Sequence, residues 1–192
     1  NLAIVNAQQG KKVILMDGDL KHPHIHSLFG MEMQRGLADF INGRLEVRNI
    51  FHSVENVAGL TLIPTGIAEN DSTGWMDAEK LSQLLLELQK YADVVIVDSP
   101  SPDIADAQIF ASKMNAVLLV IRLGETKIES AQATLKRFQL IGARVIGAVL
   151  NQSPAYQMIN WRLLSQILVK QNNGKDSYAA NKEVDKVPIS PP

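Results

Sequence analysis

Five short apolar runs alternate with longer amphipathic segments along this chain, and this alternation limits the folds open to it. The runs are rich in β-branched residues and leucine, which is typical of strands covered on both faces. We predict strands over residues 13–16, 60–63, 94–97, 117–121 and 145–150. Because strands that alternate with helices are joined by right-handed crossovers, the pattern predicts an α/β fold: a doubly wound, mainly parallel sheet with helices on both faces.

The segments between the runs have the period of helices with one buried face. Residues 77–91 place leucines at the i, i+3, i+4 and i+7 positions of such a face. Further helices are predicted over 126–141 and, as the last element, over 157–171. From residue 172 the composition turns polar and the chain ends in PISPP, which predicts a disordered tail. We therefore predict one domain over residues 1–171 and a disordered tail over residues 172–192.

The composition excludes several classes of partner and site. The chain has 192 residues, of which 46% are hydrophobic, enough for one sizeable core. Its formal net charge of -1 gives no reason to expect nucleic acid as a partner. No cysteine is present, so these residues form neither disulfides nor thiolate metal sites. No apolar run reaches the roughly 18 residues of a transmembrane helix, and we expect the segment itself to be soluble and cytoplasmic.

Polar residues gather where the predicted strands end. Asp17 and Asp19 follow the first strand, Asp98 follows the third and Asn151 follows the fifth. In a parallel sheet the carboxyl ends of the strands lie at one edge, where such folds bind ligands. Carboxylates at this edge repel one another unless a cation is present, and their oxygens suit Mg²⁺. Aspartates after strands also cap helices or accept loop amides, so a structural role stays open for each residue alone.

Two of these aspartate motifs resemble a known family. The first reads ILMDGDLKHP and the second ADVVIVDSPSP. They are similar to the secondary phosphate-site and Walker B motifs of the bacterial tyrosine autokinases (BY-kinases) of capsular and extracellular polysaccharide synthesis. The resemblance covers roughly residues 1–153 and implies a P-loop NTPase-like fold of the deviant Walker group. It also implies an ATP-dependent protein-tyrosine (auto)kinase domain that regulates polysaccharide chain length and export.

The resemblance assigns roles to single residues. Asp17 would lie nearest the attacking tyrosine hydroxyl as a base or orienting group. Asp19 and Asp98 would hold Mg²⁺, partly through water, and would count with Asp17 as catalytic residues. Asn151 would meet the adenine ring of ATP. Lys21 stands where the family prefers arginine, and we predict that it helps to bind the cofactor.

The sequence departs from the family at the phosphate loop and in the tail. No G-x-x-x-x-G-K-[ST] motif occurs in the 192 residues. In the family that loop lies just before the helix that residues 1–9 are predicted to finish, so we expect a fragment of a longer protein whose first strand and phosphate loop are missing. Such a segment alone would be inactive. Family members carry several tail tyrosines, whereas Tyr178 alone lies in the predicted tail, as the candidate phosphoacceptor.

The resemblance also implies partners and a location. A membrane-spanning chain-length adaptor, upstream or on a separate chain, would hold the kinase at the cytoplasmic face of the bacterial inner membrane. Homo-oligomeric rings would phosphorylate tyrosines of neighbouring subunits or of other proteins. Two alternatives remain at this point: a non-catalytic relative that acts as an interaction module of the export machinery, and a partitioning-type membrane-surface ATPase, which would use MINWRLLSQILVKQ, residues 158–171, as an amphipathic helix.

Three histidines at alternate positions follow the first aspartate pair. In an extended segment His22, His24 and His26 would point to one side as a metal clip. Pro23 and a helix predicted from Ile25 break that alternation. The sequence therefore favours a solvated loop near the phosphate site over a metal site made of the three histidines.

Overall fold

The strands form two separate sheets in the residues that the structure, a computed structural model, describes, namely 1–67 and 77–151. The first sheet has the order β2-β3-β1-β4 and the second pairs β5 with β6. The strands are β1 (Val13–Asp17), β2 (His52–Ser53), β3 (Leu60–Ile63), β4 (Val94–Asp98), β5 (Val117–Arg122) and β6 (Val145–Asn151). The five strands predicted from the apolar runs are confirmed, and β2 is an addition.

Helices connect these strands. They are α1 (Leu2–Gln8), α2 (Ile25–Leu28), α3 (Leu37–Ile41), α4 (Ala78–Leu88), α5 (Ala105–Lys113) and α6 (Ile128–Leu140), with a 3-10 turn over Val47–Ile50. The helices predicted over 77–91 and 126–141 are confirmed as α4 and α6 with shorter ends. Asp77 fixes the start of α4, because its side chain accepts the backbone N–H groups of Glu79 and Lys80. None of the helices in the described ranges is long and apolar enough to cross a bilayer.

The pairing within the sheets is mainly parallel, as predicted. The central strand β1 runs parallel to β3 on one side and to β4 on the other. The short β2 pairs antiparallel with β3 at the edge, and β5 runs parallel to β6 with one irregularity near Leu118. The predicted helix over 157–171 and the predicted tail over 172–192 lie outside the described residues.

Helices cover both faces of β1, which makes the first sheet doubly wound. On one face Ile14 and Met16 pack against Leu84 and its neighbours on α4. On the other face Val13 packs against Ala3 and Ala7 of α1. Alternate side chains of a strand point to opposite faces, so an unbroken apolar run is what a strand buried on both faces requires.

Helix α5 joins the two sheets. Its Phe110 belongs to the core between α4 and the first sheet, whereas the next residue, Ala111, belongs to the core beneath α6. The strands on either side of α5 in the chain, β4 and β5, are not hydrogen-bonded to each other in the described residues. The parallel sheet predicted from the sequence is therefore interrupted between β4 and β5.

Candidate functional site

Two aspartates end neighbouring strands at the same level. Asp17 of β1 and Asp98 of β4 are partners in the parallel register. The loop that follows β1 crosses to β4, where the N–H of Gly18 donates to the carbonyl oxygen of Asp98 at 2.8 Å. The structure thus brings together the two motifs that the sequence singled out, although they lie far apart in the chain.

Asp17 is fully buried, and its carboxylate organises the loop after β1. Its Oδ1 accepts the N–H of Asp19 at 3.2 Å. Its Oδ2 accepts the N–H groups of His24 and Ile25, each at 3.0 Å, where α2 begins. A carboxylate that accepts three backbone N–H groups holds its loop firmly, because hydrogen bonds to a charged acceptor are stronger than those between neutral groups. The role of Asp17 as a base stays a prediction.

Asp19 shapes the next turn of the same loop and keeps one oxygen clear of backbone donors. Its Oδ1 accepts the N–H groups of Lys21 and His22, both at 3.1 Å. Its Oδ2 lies 3.5 Å from Nδ1 of His22, and the Asp19 side chain is 18% exposed. Lys21 is exposed beside it. Asp19 therefore has one carboxylate oxygen without a backbone donor, and the exposed Lys21 follows two residues later in the same loop.

Gly18 is required by close packing between the two aspartates of the loop. A Cβ atom at this position would lie 2.9 Å from the ring of Phe110 and 3.0 Å from the carbonyl oxygen of Asp98. Such distances are shorter than van der Waals contact. The Asp-Gly-Asp turn can therefore lie flat against β4 and α5 only because its middle residue has no side chain.

Asp98 is the most exposed of the three carboxylates and has a perturbed pKa. Its side chain is 46% exposed, and its Oδ2 lies 3.4 Å from Nε2 of His24. Partial burial raises the pKa of the Asp98 carboxyl above its ordinary value, and the charges of Asp17 and Asp19 raise it further, while His24 acts in the opposite direction. Negative charge is thus concentrated at this edge, and a cation would relieve it.

The donors at this edge fit a hydrated magnesium ion. No group of three or more His, Cys, Asp or Glu side chains in the described ranges is arranged to enclose a metal. Mg²⁺ does not need such a cage, since it keeps several waters and uses one or two carboxylates plus substrate phosphates. Oδ2 of Asp19 and the carboxylate of Asp98 supply hard oxygens of that kind. The residues present therefore fit the group.

The remaining predicted site residues lie elsewhere. Asn151 ends β6 in the second sheet, and its carbonyl oxygen accepts the N–H of Leu123 at 3.1 Å. Tyr178 lies outside the described residues. The three histidines do not converge as a clip: His22 is 79% exposed, His24 faces Asp98, and Nδ1 of His26 is buried without a hydrogen-bond partner.

Sequence reasoning missed the contact between His24 and Asp98. The length of the loop between Asp17 and the start of α2 was the available signal for this contact. The backbone N–H groups of residues 24 and 25 must return to the Asp17 carboxylate, so the loop has to fold back on itself. That tether brings the His24 side chain back across the sheet edge toward β4. A second missed contact joins Asp103, in the loop after β4, to Arg137 of α6 at 2.6 Å.

Comparison with known proteins shows which proteins this chain is similar to. No family model matches the chain. The tyrosine-protein kinase ptk of Acinetobacter johnsonii is 31% identical over 152 residues, which are 79% of this chain and 21% of that protein. The solved kinase domain of the Escherichia coli tyrosine kinase ETK superposes with a TM-score of 0.73 at 27% identity, over 82% of this chain and 64% of that one. This chain is a homologue of the bacterial tyrosine kinases.

The fold is shared more widely than the sequence. The cell division ATPase MinD of Pyrococcus furiosus also superposes with a TM-score of 0.73, over 86% of this chain and 70% of that one, but at 18% identity. At that identity the likeness concerns the fold alone, a mixed α/β fold with a parallel sheet. The chain spans about a fifth of the length of the first tyrosine kinase named above. The resemblance expected from the two aspartate motifs is thus confirmed.

Proposed function

We propose that this chain is the larger part of an ATP-dependent protein-tyrosine (auto)kinase domain that regulates polysaccharide chain length and export in capsule or exopolysaccharide synthesis. One observation carries the proposal. Asp17 and Asp98 end adjacent strands in register, with Asp19 in the loop between them, on a chain homologous to bacterial tyrosine kinases. Carboxylates at the carboxyl edge of a parallel sheet are suited to phosphoryl transfer, where catalysis is mostly positioning and charge stabilisation.

We assign ATP and Mg²⁺ to this edge. Asp19 and Asp98 would hold the metal, which supplies charge neutralisation at the transferred phosphoryl group. The exposed ammonium group of Lys21 would contact phosphate oxygens, since its backbone is fixed on the Asp19 carboxylate. Asn151, at the end of β6, would contact the adenine ring. These roles are supported by the donor chemistry and by position: Asp98 and Asn151 end strands, and Asp19 and Lys21 lie in the loop that follows β1.

Asp17 would orient the attacking tyrosine hydroxyl or accept its proton. In the structure both oxygens of this buried carboxylate accept backbone N–H groups. The Asp17 side chain is also fully buried, so a direct role requires the loop after β1 to open and admit the tyrosine hydroxyl. If substrate binding causes that movement, Asp17 becomes available as a base only when the site is occupied.

The interrupted sheet supports the proposal that this chain is a fragment. Both β4 and β5 have one edge without a hydrogen-bonded strand in the described residues, and both lie under α5. All five residues of β4 are partly exposed, although every one of its first four side chains is apolar. One further parallel strand between β4 and β5 would pair with both edges and join the two sheets into one.

The handedness of crossovers supports a strand upstream of α1 as the occupant. The connection from β3 to β4 passes over β1 and carries α4 on one face of the sheet, whereas α1 lies on the opposite face. A right-handed crossover through α1 into β1 must run in the reverse direction, so it starts on the β4 side of β1. A phosphate loop between such a strand and α1 would then reach the edge where Asp17 and Asp98 end.

The proposed partners follow the family. We propose a homo-oligomeric ring attached to a membrane-spanning adaptor at the cytoplasmic face of the bacterial inner membrane, with protein tyrosines as substrates. Tyr178 is the proposed phosphoacceptor in the tail. Phosphotyrosine mapping of the active protein tests that assignment, because transfer to other tyrosines alone would remove Tyr178 from the proposal.

Autophosphorylation tests the kinase proposal. The native protein, including any coding sequence upstream of Asn1, is expected to incorporate phosphotyrosine with ATP and Mg²⁺. The double substitution Asp17→Asn with Asp98→Asn should abolish the signal, whereas His52→Gln, on the far strand β2, should leave it unchanged. A phosphotyrosine signal that persists undiminished in the double variant contradicts the assignment of the site.

The non-catalytic relative is the second candidate function. It is favoured by one observation, the absence of a G-x-x-x-x-G-K-[ST] motif from the 192 residues. If the native upstream sequence also lacks the motif and the protein binds no ATP, the fold would serve as an interaction module of the export machinery. Equilibrium binding of a fluorescent ATP analogue separates the two functions.

A further inference from the structure

One face of the second sheet is apolar and exposed in the described residues. Leu118 and Val120 of β5 and Val149 of β6 are exposed there, and Val120 pairs with Val149 in the parallel register. We call these three side chains the open face. On the opposite face Ile121 packs with Leu135 of α6. Because parallel sheets are almost always buried on both faces, an apolar open face of this kind implies a cover.

The open face lies on the side of the molecule that carries α1. Helix α5 contacts both α4 and α6, and it places Phe110 in the core beneath α4 and Ala111 in the core beneath α6. These three helices therefore form one layer. Helix α1 packs on the opposite face of β1 and exposes Leu2 and Val5. The exposed apolar side chains of α1 and of the second sheet thus lie on the same side.

Residues 158–171 have the composition of a segment that covers such a face. They read MINWRLLSQILVKQ, in which eight of 14 residues are apolar, and they lie outside the described residues. Ser153 and Pro154 precede the segment and Gly174 follows it, with no glycine or proline between Pro154 and Gly174. A Ser-Pro pair is typical of the first turn of a helix, and glycine of its end. The sequence therefore predicts one helix through this segment.

The length and position of the segment fit the open face. Strand β6 ends at Asn151, and residues 152–157 connect it to the segment. A helix of 14 residues is about 21 Å long, and the seven residues of β6 extend over about 23 Å. Helix α6, which packs on the other face, has 13 residues. A helix that returns along β6 can therefore cover the open face over its whole length.

We propose that residues 158–171 form a helix that docks on the open face of this chain's own second sheet. The short connection from β6 makes the docking intramolecular, with an effective concentration of roughly millimolar order. A second copy of the chain has no such advantage in dilute solution. The upstream strand proposed above would pair with the edges of β4 and β5, so it would leave the face itself uncovered.

The docked helix bears on the choice between the candidate functions. The membrane-surface alternative uses the same residues as an amphipathic helix on a bilayer. Apolar side chains that are buried against Leu118, Val120 and Val149 are not available to lipid. The docking therefore opposes a membrane role for this segment, and it does not depend on kinase activity.

The reactivity of single thiols tests whether the face is covered. The 192 residues contain no cysteine, so Val120→Cys and Leu140→Cys each introduce one thiol. Val120 is 66% exposed and Leu140, at the end of α6, is 78% exposed in the described residues, so an uncovered face predicts similar rates. We expect a maleimide to modify Val120→Cys at least about tenfold more slowly. The native protein is used, with any cysteine upstream of Asn1 changed to serine.

Charged substitutions in the segment test which part of the chain is the cover. Leu164→Asp with Leu168→Asp, one helical turn apart, should bring the rate at Val120→Cys to within about threefold of that at Leu140→Cys. Gln166→Asp adds a charge on the opposite side of the same helix and should leave the slow rate unchanged. Circular dichroism of each variant reports whether the remaining fold is kept.

A crosslink tests the contact without any added charge. A short bismaleimide should join Val120→Cys to a cysteine placed at Leu164 or at Leu168 within one chain. Leu140→Cys, paired with the same two positions, should not be joined, because α6 packs on the other face of the sheet. Absence of a crosslink from Val120→Cys to both positions contradicts the proposal, whether or not the charged variants fold.

Four further results would overturn the proposal. Equal rates at Val120→Cys and Leu140→Cys would show that the face is uncovered. Protection that persists in the folded double aspartate variant would show that another element covers it. Protection that is lost on about a hundredfold dilution would identify a second copy as the cover. Binding to phosphatidylglycerol vesicles that the double aspartate variant loses would show that the segment serves a membrane instead.

Discussion

The two sheets of this protein differ in how completely they are covered. Strand β1 is buried on both faces, between the helices α4 and α1. Strand β5 is packed against α6 on one face, whereas Leu118 and Val120 point to the other face and are exposed, Val120 by 66%. The three aspartates of the candidate site belong to the first sheet, where Asp17 ends a strand that is buried on both faces. The second sheet shows where the described residues leave an apolar face open.

The difference also concerns the chemistry that each sheet supports. A carboxylate can be buried at the end of β1 because the surrounding core excludes water and the loop amides satisfy its charge. The end of β6 is more open, and Asn151 is exposed there. Burial therefore fixes the carboxylate oxygens of Asp17 at the end of the first sheet. The exposed apolar face of the second sheet leaves space for a further element of the fold.

Truncation of a core leucine packed against each sheet has the largest expected effect. Leu84→Ala removes a fully buried side chain between α4 and the first sheet and should lower the free energy of unfolding by about 3–4 kcal/mol. Leu135→Ala, on the buried face of α6 in the more open core, should lower it by about 2 kcal/mol. Urea unfolding followed by circular dichroism measures both. Equal costs would show that the second core is as complete as the first.

Removal of the Asp17 charge comes next. Asp17→Asn keeps the shape of the side chain but places an NH₂ group against backbone N–H donors, so the free energy of unfolding should fall by about 2 kcal/mol. Amide hydrogen exchange should speed up at Ile25 and not at β6. A variant as stable as the original chain would show that the loop does not depend on this carboxylate.

A polar substitution on the open face should have a smaller effect. Val120→Thr keeps the β-branched shape, and beneath the proposed helix over residues 158–171 it should lower the free energy of unfolding by about 1 kcal/mol. The same substitution at the buried Val13 of β1 should lower it by about 2 kcal/mol. A loss below about 0.5 kcal/mol at Val120 in urea unfolding, as expected of a side chain that stays exposed, would show that nothing covers this face.

The smallest effect is expected at Asp98, and its sign is opposite to that at Asp17. Burial raises the pKa of the Asp98 carboxyl, so its ionisation weakens the metal-free fold. Stability is therefore lost as the pH rises from about 4 through the raised pKa, and it stays lower above that value. Asp98→Asn removes this loss. Thermal unfolding at pH 7 should shift upward by about 1 °C, with no shift near pH 3. A downward shift at pH 7 would contradict the assignment.

The sequence predicted the elements whose signals are local. The apolar runs at β1, β3, β4, β5 and β6 were long enough and rich enough in β-branched residues to be recognised, and the two long helices had a clear period. The site followed from them, because aspartates directly after parallel strands must meet at one edge. Asp17 and Asp98 do lie side by side, as partners in the parallel register of β1 and β4.

The elements and contacts that depend on tertiary structure could not be predicted. Helix α3 is too short to show a period, and β2 has two residues that pair only because β3 offers an edge. Helix α2 does begin at Ile25, as predicted. The burial of Asp17 depends on amides from the start of α2, which no local pattern reveals. The contact of His24 with Asp98 arises from the same fold of the loop.

Gly18 and Phe110 share one small volume, and this has an evolutionary consequence. The Phe110 ring lies where a side chain at position 18 would begin. Related sequences that carry alanine or a larger residue between the two aspartates should carry a smaller side chain at position 110. The Asp-x-Asp motif thus depends on α5, a helix that contains none of its residues. Substitution at position 18 or at position 110 alone would be selected against.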